Sequence, residues 1–205
     1  GAIERLIWRD GELRWLTINH ARPVGLCGSG ILDAVAALRS AEIVSLTGAM
    51  DRSHPKVQPE KVNPWFEIAP ASQTGHGRPV AISRSDVNEV QLAKAAIRAG
   101  IKLLTERAGV SELDIDRVIV AGAFGNYIDL ESAIVIGMFP PLPLERFHQV
   151  GNAAGIGAKR LLINAEERAR AAALVQQLTY IELTNHPHFS DRFSQAVMLT
   201  PDPWD

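Results

Sequence analysis

The stretch VIVAGAFGNYID, residues 118–129, constrains the fold most, because an apolar run ends there in two closely spaced glycines. A short run of β-branched residues is typical of a buried strand. Gly122 and Gly125 allow a tight turn, a positive φ and a close approach of a ligand to the main chain. The stretch alone leaves two interpretations open: a strand-to-helix turn of an α/β domain, or a ligand-binding turn.

The rest of the sequence continues an alternation of strands and helices. Asp10-Gly11 between two alternating runs predicts a β-hairpin at the start of the chain. Ser83 with Asp86 predicts a capping box for a long helix that ends at Gly109. The apolar face predicted for this helix consists of Val87, Val90, Leu92, Ala93, Ile97, Ile101 and Leu104. These patterns, with a helix after GLCGSG and a strand at RVIVAG, predict an α/β lobe in which helices flank a sheet.

Two regions carry further predictions. Residues 45–80 are rich in proline and polar residues, so we expect an irregular flap that is mobile because it buries little apolar surface. Beyond the glycine turn, the sequence predicts a helix at DLESAIVIGMF, a strand at FHQV and a helix at GNAAGIGAKRLLIN. The stretch AEERARAAALVQQLTYIEL predicts a last helix that runs into a strand.

Composition and charge limit the classes of function. With 46% hydrophobic and 21% charged residues, the chain is typical of a globular protein, and its net charge of −2 offers no basic surface for nucleic acid or anionic lipid. Its apolar runs are far shorter than the roughly 20 residues of a membrane span. Cys27 is the one cysteine and no secretory leader is evident, so we expect a cytoplasmic protein.

Other motifs give weaker signals. GNAAGIG, residues 151–157, lacks the G-x-G-x-x-G spacing of a dinucleotide site, so its small residues predict close helix packing instead. His186 and His188 are close in sequence but lack the neighbouring ligands of a zinc motif. Asp33 and Asp129 are interpreted as helix-surface or cap residues, and no acid/base pair emerges from the pattern.

Five stretches in order resemble one family: GLCGSGILDAVAAL, DVNEVQLAKAAIRAGI, VIVAGAFGNYIDLESAIVIGMFP, VGNAAGIGAKRLL and YIELTNHPHF. They resemble the C-terminal part of the reductive activators of corrinoid proteins, which belong to the actin-like ATPase superfamily. The resemblance covers nearly the whole chain. It implies that residues 1–205 form a C-terminal, ribonuclease-H-like lobe of the actin-like ATPase (ASKHA) fold, incomplete at its N-terminus.

The resemblance also implies a nucleotide site. In this superfamily ATP lies between two lobes, and AGAFGN would be the adenosine motif, followed by a helix whose N–H groups face phosphate. The glycine-led helix at 151–157 would connect the lobes at their hinge. No catalytic residue and no metal ligand is expected in this chain. The residues expected to contact nucleotide are Gly122, Ala123, Phe124, Gly125, Asn126, Gly28, Ser29 and Lys94.

The resemblance implies a longer protein, because members of the family have a 2Fe–2S ferredoxin domain first, then a linker and middle domain, and then the ATPase module. ATP would drive a conformational change that lets an electron return Co(II) corrinoid to Co(I). This chain begins with Gly1 rather than Met, and it lacks the four-cysteine motif and the D-x-G-T-x phosphate loop. We therefore expect a fragment that is inactive alone, while the intact protein would use ATP with Mg²⁺ and a cluster in its missing domain.

Partners follow from the same resemblance. A corrinoid protein is expected, either a corrinoid iron–sulfur protein or a methyltransferase-linked corrinoid protein, and a homodimer is possible for the intact molecule. Two alternatives stay open. One is a non-catalytic module that docks a partner through residues 45–80. The other is a nucleotide-binding lobe of another ASKHA kinase or dehydratase activator.

Overall fold

The structure is a computed structural model that describes residues 1–122, 124–183 and 185–201. Within those ranges the chain forms eight strands in three small sheets, together with six α-helices. The strands are β1 Ala2–Arg9, β2 Glu12–Thr17, β3 Gly25–Leu26, β4 Val57–Gln58, β5 Trp65–Ala69, β6 Val80–Ser83, β7 Val118–Ala121 and β8 Phe147–Gly151. The helices are α1 Gly28–Ser40, α2 Arg84–Ala108, α3 Leu130–Val135, α4 Ala153–Ile163, α5 Ala165–Val175 and α6 Phe189–Ala196.

The predicted N-terminal hairpin is confirmed. Strands β1 and β2 pair antiparallel around Asp10 and Gly11, whose φ values of 55° and 76° are both positive. Two positive φ values are typical of the type I′ turn, which matches the twist of a hairpin. Leu6 and Leu13 are buried on one face of the hairpin, and helix α1 packs against β1.

The long helix α2 has the predicted ends. The Ser83 hydroxyl accepts from the Asp86 N–H while the Asp86 carboxylate accepts from the Ser83 N–H, which is a complete capping box. At the other end, Gly109 adopts φ 69°, a left-handed conformation that favours glycine. Local sequence signals therefore placed both ends of this helix.

The buried face of α2 agrees with the prediction at Val87 and Val90 but differs from it further along the helix. The apolar residues Leu92, Ile97 and Leu104 are 38%, 45% and 50% exposed. Lys94 and Arg98 are buried in their place. Burial of charged residues is tolerated where they are paired or hydrogen-bonded, and here distant parts of the chain supply those partners.

The segment expected to be an irregular flap contains regular structure. Strands β4 and β5 lie within it and pair antiparallel with each other and with β6. Phe66 and Ile68 of β5 are 0% and 2% exposed and belong to the hydrophobic core. The premise that this segment has little apolar surface to bury is therefore wrong for β5, because alternate residues of the strand face the core.

The C-terminal elements agree with the sequence in part. Strands β7 and β8 and helix α4 are confirmed, and β7 pairs in parallel with β8. Helix α3 stops at Val135, shorter than predicted, and Gly137 just beyond it adopts φ 73°. The described residues between α5 and α6 form no strand, and Thr184 in that segment lies outside the described residues. Helix α6 was not predicted from the sequence.

One hydrophobic core joins the hairpin, α1, the β5–β6 strands and α3. It reaches the end of the described chain at Leu199, which is fully buried. By contrast, neither α4 nor α5 contains a buried residue. Among the described residues, no helix is long and apolar enough to cross a membrane.

Candidate functional site

The glycine turn lies where two parallel strands end together. Strand β7 ends at Ala121, and the Gly122 N–H donates to the Gly151 carbonyl at the end of β8, at 2.7 Å. Gly122 has φ 105°, and a Cβ added there would meet no atom within 4 Å. The main chain at Gly122 is therefore both in a glycine conformation and open to its surroundings.

The second glycine of the turn has another role. Gly125 lies in a short 3₁₀ turn, Phe124–Asn126, and its φ is outside the positive region. A Cβ added at Gly125 would lie 2.9 Å from Val120 Cγ1. The expectation that both glycines bend the chain through positive φ is thus wrong for Gly125, where glycine is required by close packing.

Strand β8 holds the turn in place. The Gln149 side-chain amide donates to the Gly125 carbonyl at 2.6 Å and to the Ile128 carbonyl at 2.9 Å. Asn126 lies beside Gly151, where an added Cβ would be 3.1 Å from Asn126 Nδ2. These contacts fix the turn backbone from Gly125 to Ile128. Ala123 lies outside the described residues, and of Phe124 only the backbone is described.

The helix expected directly after Asn126 begins later. Helix α3 starts at Leu130, and its cap is Asp129, whose carboxylate accepts from the Ser132 N–H at 2.9 Å. The Ser132 N–H is thus occupied by a side chain, and all the first N–H groups of α3 lie after the turn rather than at it. The prediction of a helix that starts directly after Asn126 is wrong, because Asp129 is the cap and α3 begins only at Leu130.

Gly28 and Ser29 of the GLCGSG stretch, which were expected to contact nucleotide, lie in different surroundings. Gly28 is exposed at the first position of α1. Ser29 is 4% exposed, and its hydroxyl donates to the Glu4 carbonyl at 2.9 Å. A Cβ at the neighbouring Gly30 would lie only 2.1 Å from the Ile3 carbonyl oxygen. This glycine cluster mainly allows α1 to approach β1 closely.

Lys94 lies in the interior of the protein. It is 1% exposed, and its ammonium donates to the Met198 carbonyl near the end of the described chain. Burial, and then the positive charge of Arg98, lower the pKa of Lys94 to about 8. In this arrangement the ammonium holds the C-terminal segment and does not line either of the cavities described for this chain.

Sequence reasoning missed a groove that is lined by both apolar and charged side chains. The groove has a volume of about 670 Å³ and lies between the hairpin and helices α1 and α3. Asp33 of α1 is 2% exposed, and its Oδ2 accepts from the Leu6 N–H at 3.2 Å. Arg5 Nη1 is 3.8 Å from Asp33 Oδ2 and 3.3 Å from Asp129 Oδ2.

Burial dominates the electrostatics of this groove. Burial raises the pKa of the Asp33 carboxyl, against the opposing effects of the Leu6 N–H, the Ser132 hydroxyl and Arg5. One sequence signal was available, since Asp33 is the only carboxylate in the otherwise apolar stretch from Gly28 to Leu38. Its partner Arg5 could not be found from the sequence, because the two residues are brought together only by the packing of α1 on β1.

The glycine turn and the groove are adjacent along the chain. Asn126 in the turn and Asp129 at the groove are separated by two residues. Among residues 1–122, 124–183 and 185–201, no cluster of three or more His, Cys, Asp or Glu side chains is suitably placed to hold a metal ion. The turn itself offers main-chain groups and the Asn126 side-chain amide for contact with a ligand.

Comparisons with known proteins agree on one family. A family model described as the C-terminal domain of RACo, the ASKHA domain, matches residues 1–204. The corrinoid activation enzyme RamQ of Eubacterium limosum is 36% identical over 97% of this chain, which covers 35% of that enzyme. The [Co(II) methylated amine-specific corrinoid protein] reductase of Methanosarcina barkeri is 25% identical over 76% of this chain and 25% of its own length.

A solved structure is also similar. The structure of a reductive activator for corrinoid, iron–sulfur protein superimposes with a TM-score of 0.88 at 33% sequence identity. The superposition covers 98% of this chain and 32% of the other. The chain thus spans about a third of the length of RamQ and of the activator in that structure.

Proposed function

Because the chain belongs to the family of the RACo C-terminal ASKHA domain, we propose that it is the nucleotide-binding lobe of an ATP-dependent reductive activator. The intact activator would return Co(II) corrinoid proteins to Co(I). The observation that carries this proposal is the open main chain at Gly122, at the carboxyl ends of two parallel strands. Ligands of open α/β sheets bind outside the carboxyl ends of the strands.

Three residues of this turn would make the contacts. At Gly122, no atom of the described residues lies within 4 Å of the position that a Cβ would occupy. Gly125 lets the turn pack against Val120, and Asn126 lies next to Gly151 at the end of β8. A flat nucleoside would lie against this surface, because the absence of a Cβ at Gly122 removes the atom that would hold it away.

The bound nucleotide would supply the free energy of hydrolysis for a conformational change of the intact protein. This lobe's own part is to bind and orient the nucleoside end. Phosphate and Mg²⁺ ligands would come from outside the described residues, since phosphoryl transfer depends on charge stabilisation that this turn does not offer. We therefore expect the 205-residue chain alone to bind nucleotide weakly and to show no turnover.

The electron source and the partner lie outside this chain. A ferredoxin-type 2Fe–2S cluster is held by four thiolates, and Cys27 is the one cysteine of this sequence. We propose that the cluster belongs to another domain of the intact protein, and that the partner is a corrinoid protein. The names of the similar proteins support this choice, since both curated relatives are described by their action on corrinoid proteins.

The test is Gly125→Val in the intact protein. A valine Cβ would lie 2.9 Å from Val120 Cγ1, so the turn must move away from β7. We expect the affinity for ATP to fall at least about tenfold, which is about 1.4 kcal/mol. Isothermal titration calorimetry measures this directly.

The matched control is Gly25→Val in β3, where an added Cβ meets nothing within 4 Å. The control should bind ATP like the parent protein. Unchanged ATP affinity in a folded Gly125→Val protein would show that the nucleotide does not lie at this turn.

A further inference from the structure

A β-bulge in strand β1 sets the direction of the Arg5 side chain. Ile3 of β1 pairs with Thr17 of β2, and the next register pair is Arg5 with Leu16. Two steps along β1 thus match one step along β2, so Glu4 is the extra residue of a bulge. A bulge bends the strand and re-aims the side chains beside it.

The beginning of helix α1 holds this bulge in place. The Ser29 hydroxyl donates to the Glu4 carbonyl at 2.9 Å, and the Cys27 N–H donates to the Ile3 carbonyl at 3.1 Å. Both acceptors are main-chain groups at the bulge itself. The direction of the Arg5 side chain therefore depends on α1 as well as on the hairpin.

One nitrogen of Arg5 faces two carboxylates from different elements. Arg5 Nη1 lies 3.8 Å from Asp33 Oδ2 of α1 and 3.3 Å from Asp129 Oδ2 at the start of α3. The Asp33 side chain is 2% exposed, and its Oδ2 also accepts from the Leu6 N–H at 3.2 Å. Asp33 is thus a fixed negative charge that keeps the guanidinium beside Asp129.

Asp129 joins this ion-pair network to the glycine turn. Its Oδ1 accepts from the Ser132 N–H at 2.9 Å, which leaves Oδ2 to face Arg5. The preceding residue, Ile128, is 6% exposed, and its carbonyl accepts from the Gln149 amide at 2.9 Å. The segment that follows Gly122 is therefore held from β8 by Gln149 and from β1 by Arg5.

We propose that Arg5 is a positioning residue for the nucleotide, because through Asp129 it fixes the far end of the glycine turn. A turn that is already ordered costs less free energy to fix when a ligand binds, so the pair raises the affinity for ATP. The role requires no contact between Arg5 and the nucleotide. It rests on the proposed function, since it assumes that ATP lies at the turn.

A double-mutant cycle in the intact protein tests the proposal. The variants are Arg5→Gln, Asp129→Asn and the two changes together, and Asn keeps a side-chain oxygen for the cap of α3. The Arg5 and Asp129 side chains are 37% and 40% exposed, so solvent partly screens the pair. Each single change should therefore weaken ATP binding about threefold in calorimetric titration. The double variant should be no weaker than either single one, because the second change removes a contact that is already lost.

Two further variants separate positioning from a general loss of charge or of stability. Arg9→Gln removes the same charge from the same strand, where Arg9 Nε lies 3.7 Å from the exposed Asp10, and it should bind ATP like the parent. Arg5→Lys should recover most of the affinity that Arg5→Gln loses. A single nitrogen faces both carboxylates, so the ammonium of lysine can act as the point charge.

The outcomes distinguish this inference from the proposed function. If Gly125→Val weakens ATP binding while Arg5→Gln binds ATP like Arg9→Gln, Arg5 has no positioning role and the nucleotide still lies at the turn. If the two single changes multiply to about ninefold in the double variant, they act independently and the link through Asp129 is wrong. If folded Gly125→Val and Arg5→Gln proteins both bind ATP like the parent, the nucleotide lies elsewhere and both conclusions fail.

Discussion

The two glycine clusters at 25–30 and 122–125 look alike in sequence but differ in what surrounds them. At Gly30, a Cβ would lie 2.1 Å from the Ile3 carbonyl oxygen, inside the contact between α1 and β1. At Gly122, a Cβ would meet nothing within 4 Å. The first cluster allows two elements to pack closely, and the second leaves main chain open. Glycine spacing alone does not distinguish these roles.

The largest expected effect tests the packing cluster. Gly30→Ala should destabilise the protein by about 3 kcal/mol or more, because the methyl group collides with main chain that cannot rotate away. Urea denaturation gives the change in the free energy of unfolding. Gly25→Ala is the matched control, since its Cβ meets nothing within 4 Å, and it should change stability by less than about 0.5 kcal/mol. Equal stabilities of the two variants would show that close packing does not require glycine at position 30.

The second prediction concerns Lys94, which lies in the interior of the protein and not at the turn around Gly122. Its pKa in the folded protein is lowered from 10.5 to about 8 by burial and by Arg98. Between these two pH values the unfolded chain binds more protons than the folded one, so stability should rise with pH in that window. The expected rise is of the order of 2–3 kcal/mol.

Comparison with Lys94→Met separates the contribution of Lys94 to the pH dependence of stability from the contributions of other groups that titrate at high pH. Urea denaturation of both proteins from pH 8 to 10.5 should give a steeper rise for the parent than for the variant. Parallel curves would mean that the ammonium is solvated, and would restore Lys94 as a candidate for contact with a ligand.

The sequence was sufficient where a feature depends on neighbours along the chain. The hairpin at Asp10-Gly11, the Ser83–Asp86 capping box and the strand before Gly122 all depend on residues within a few positions of one another. Each was predicted and is confirmed. The α/β fold followed from their order along the chain.

Features that depend on distant contacts could not be predicted. The buried position of Lys94 requires the carbonyl of Met198, which is 104 residues away in sequence. The groove requires Asp33 and Arg5, which α1 and β1 bring together. The expected burial of Leu92 failed for the same reason, because distant acceptors allow α2 to turn a polar face inward. Helical periodicity shows which residues share a face, but it does not show which face finds partners.

The smallest expected effect concerns how the open turn is held. Gln149→Leu removes both amide hydrogen bonds to the Gly125 and Ile128 carbonyls. Loss of these bonds should reduce the free energy of unfolding by about 1–2 kcal/mol. It should also weaken ATP binding by the intact protein several-fold, because the turn must then be ordered when the nucleotide binds.

His148→Leu on the same strand is the control, since His148 is exposed and makes neither of these bonds. Urea denaturation and calorimetric titration of both variants separate two causes. If Gln149→Leu lowers stability but leaves ATP affinity unchanged, the turn from Gly125 to Ile128 is a structural turn like the cluster at Gly30. If Gln149→Leu lowers both the free energy of unfolding and the affinity for ATP while His148→Leu matches the parent, the main chain at Gly122 depends on Gln149 for its position. The glycine cluster at 25–30 then serves packing, and the cluster at 122–125 serves binding.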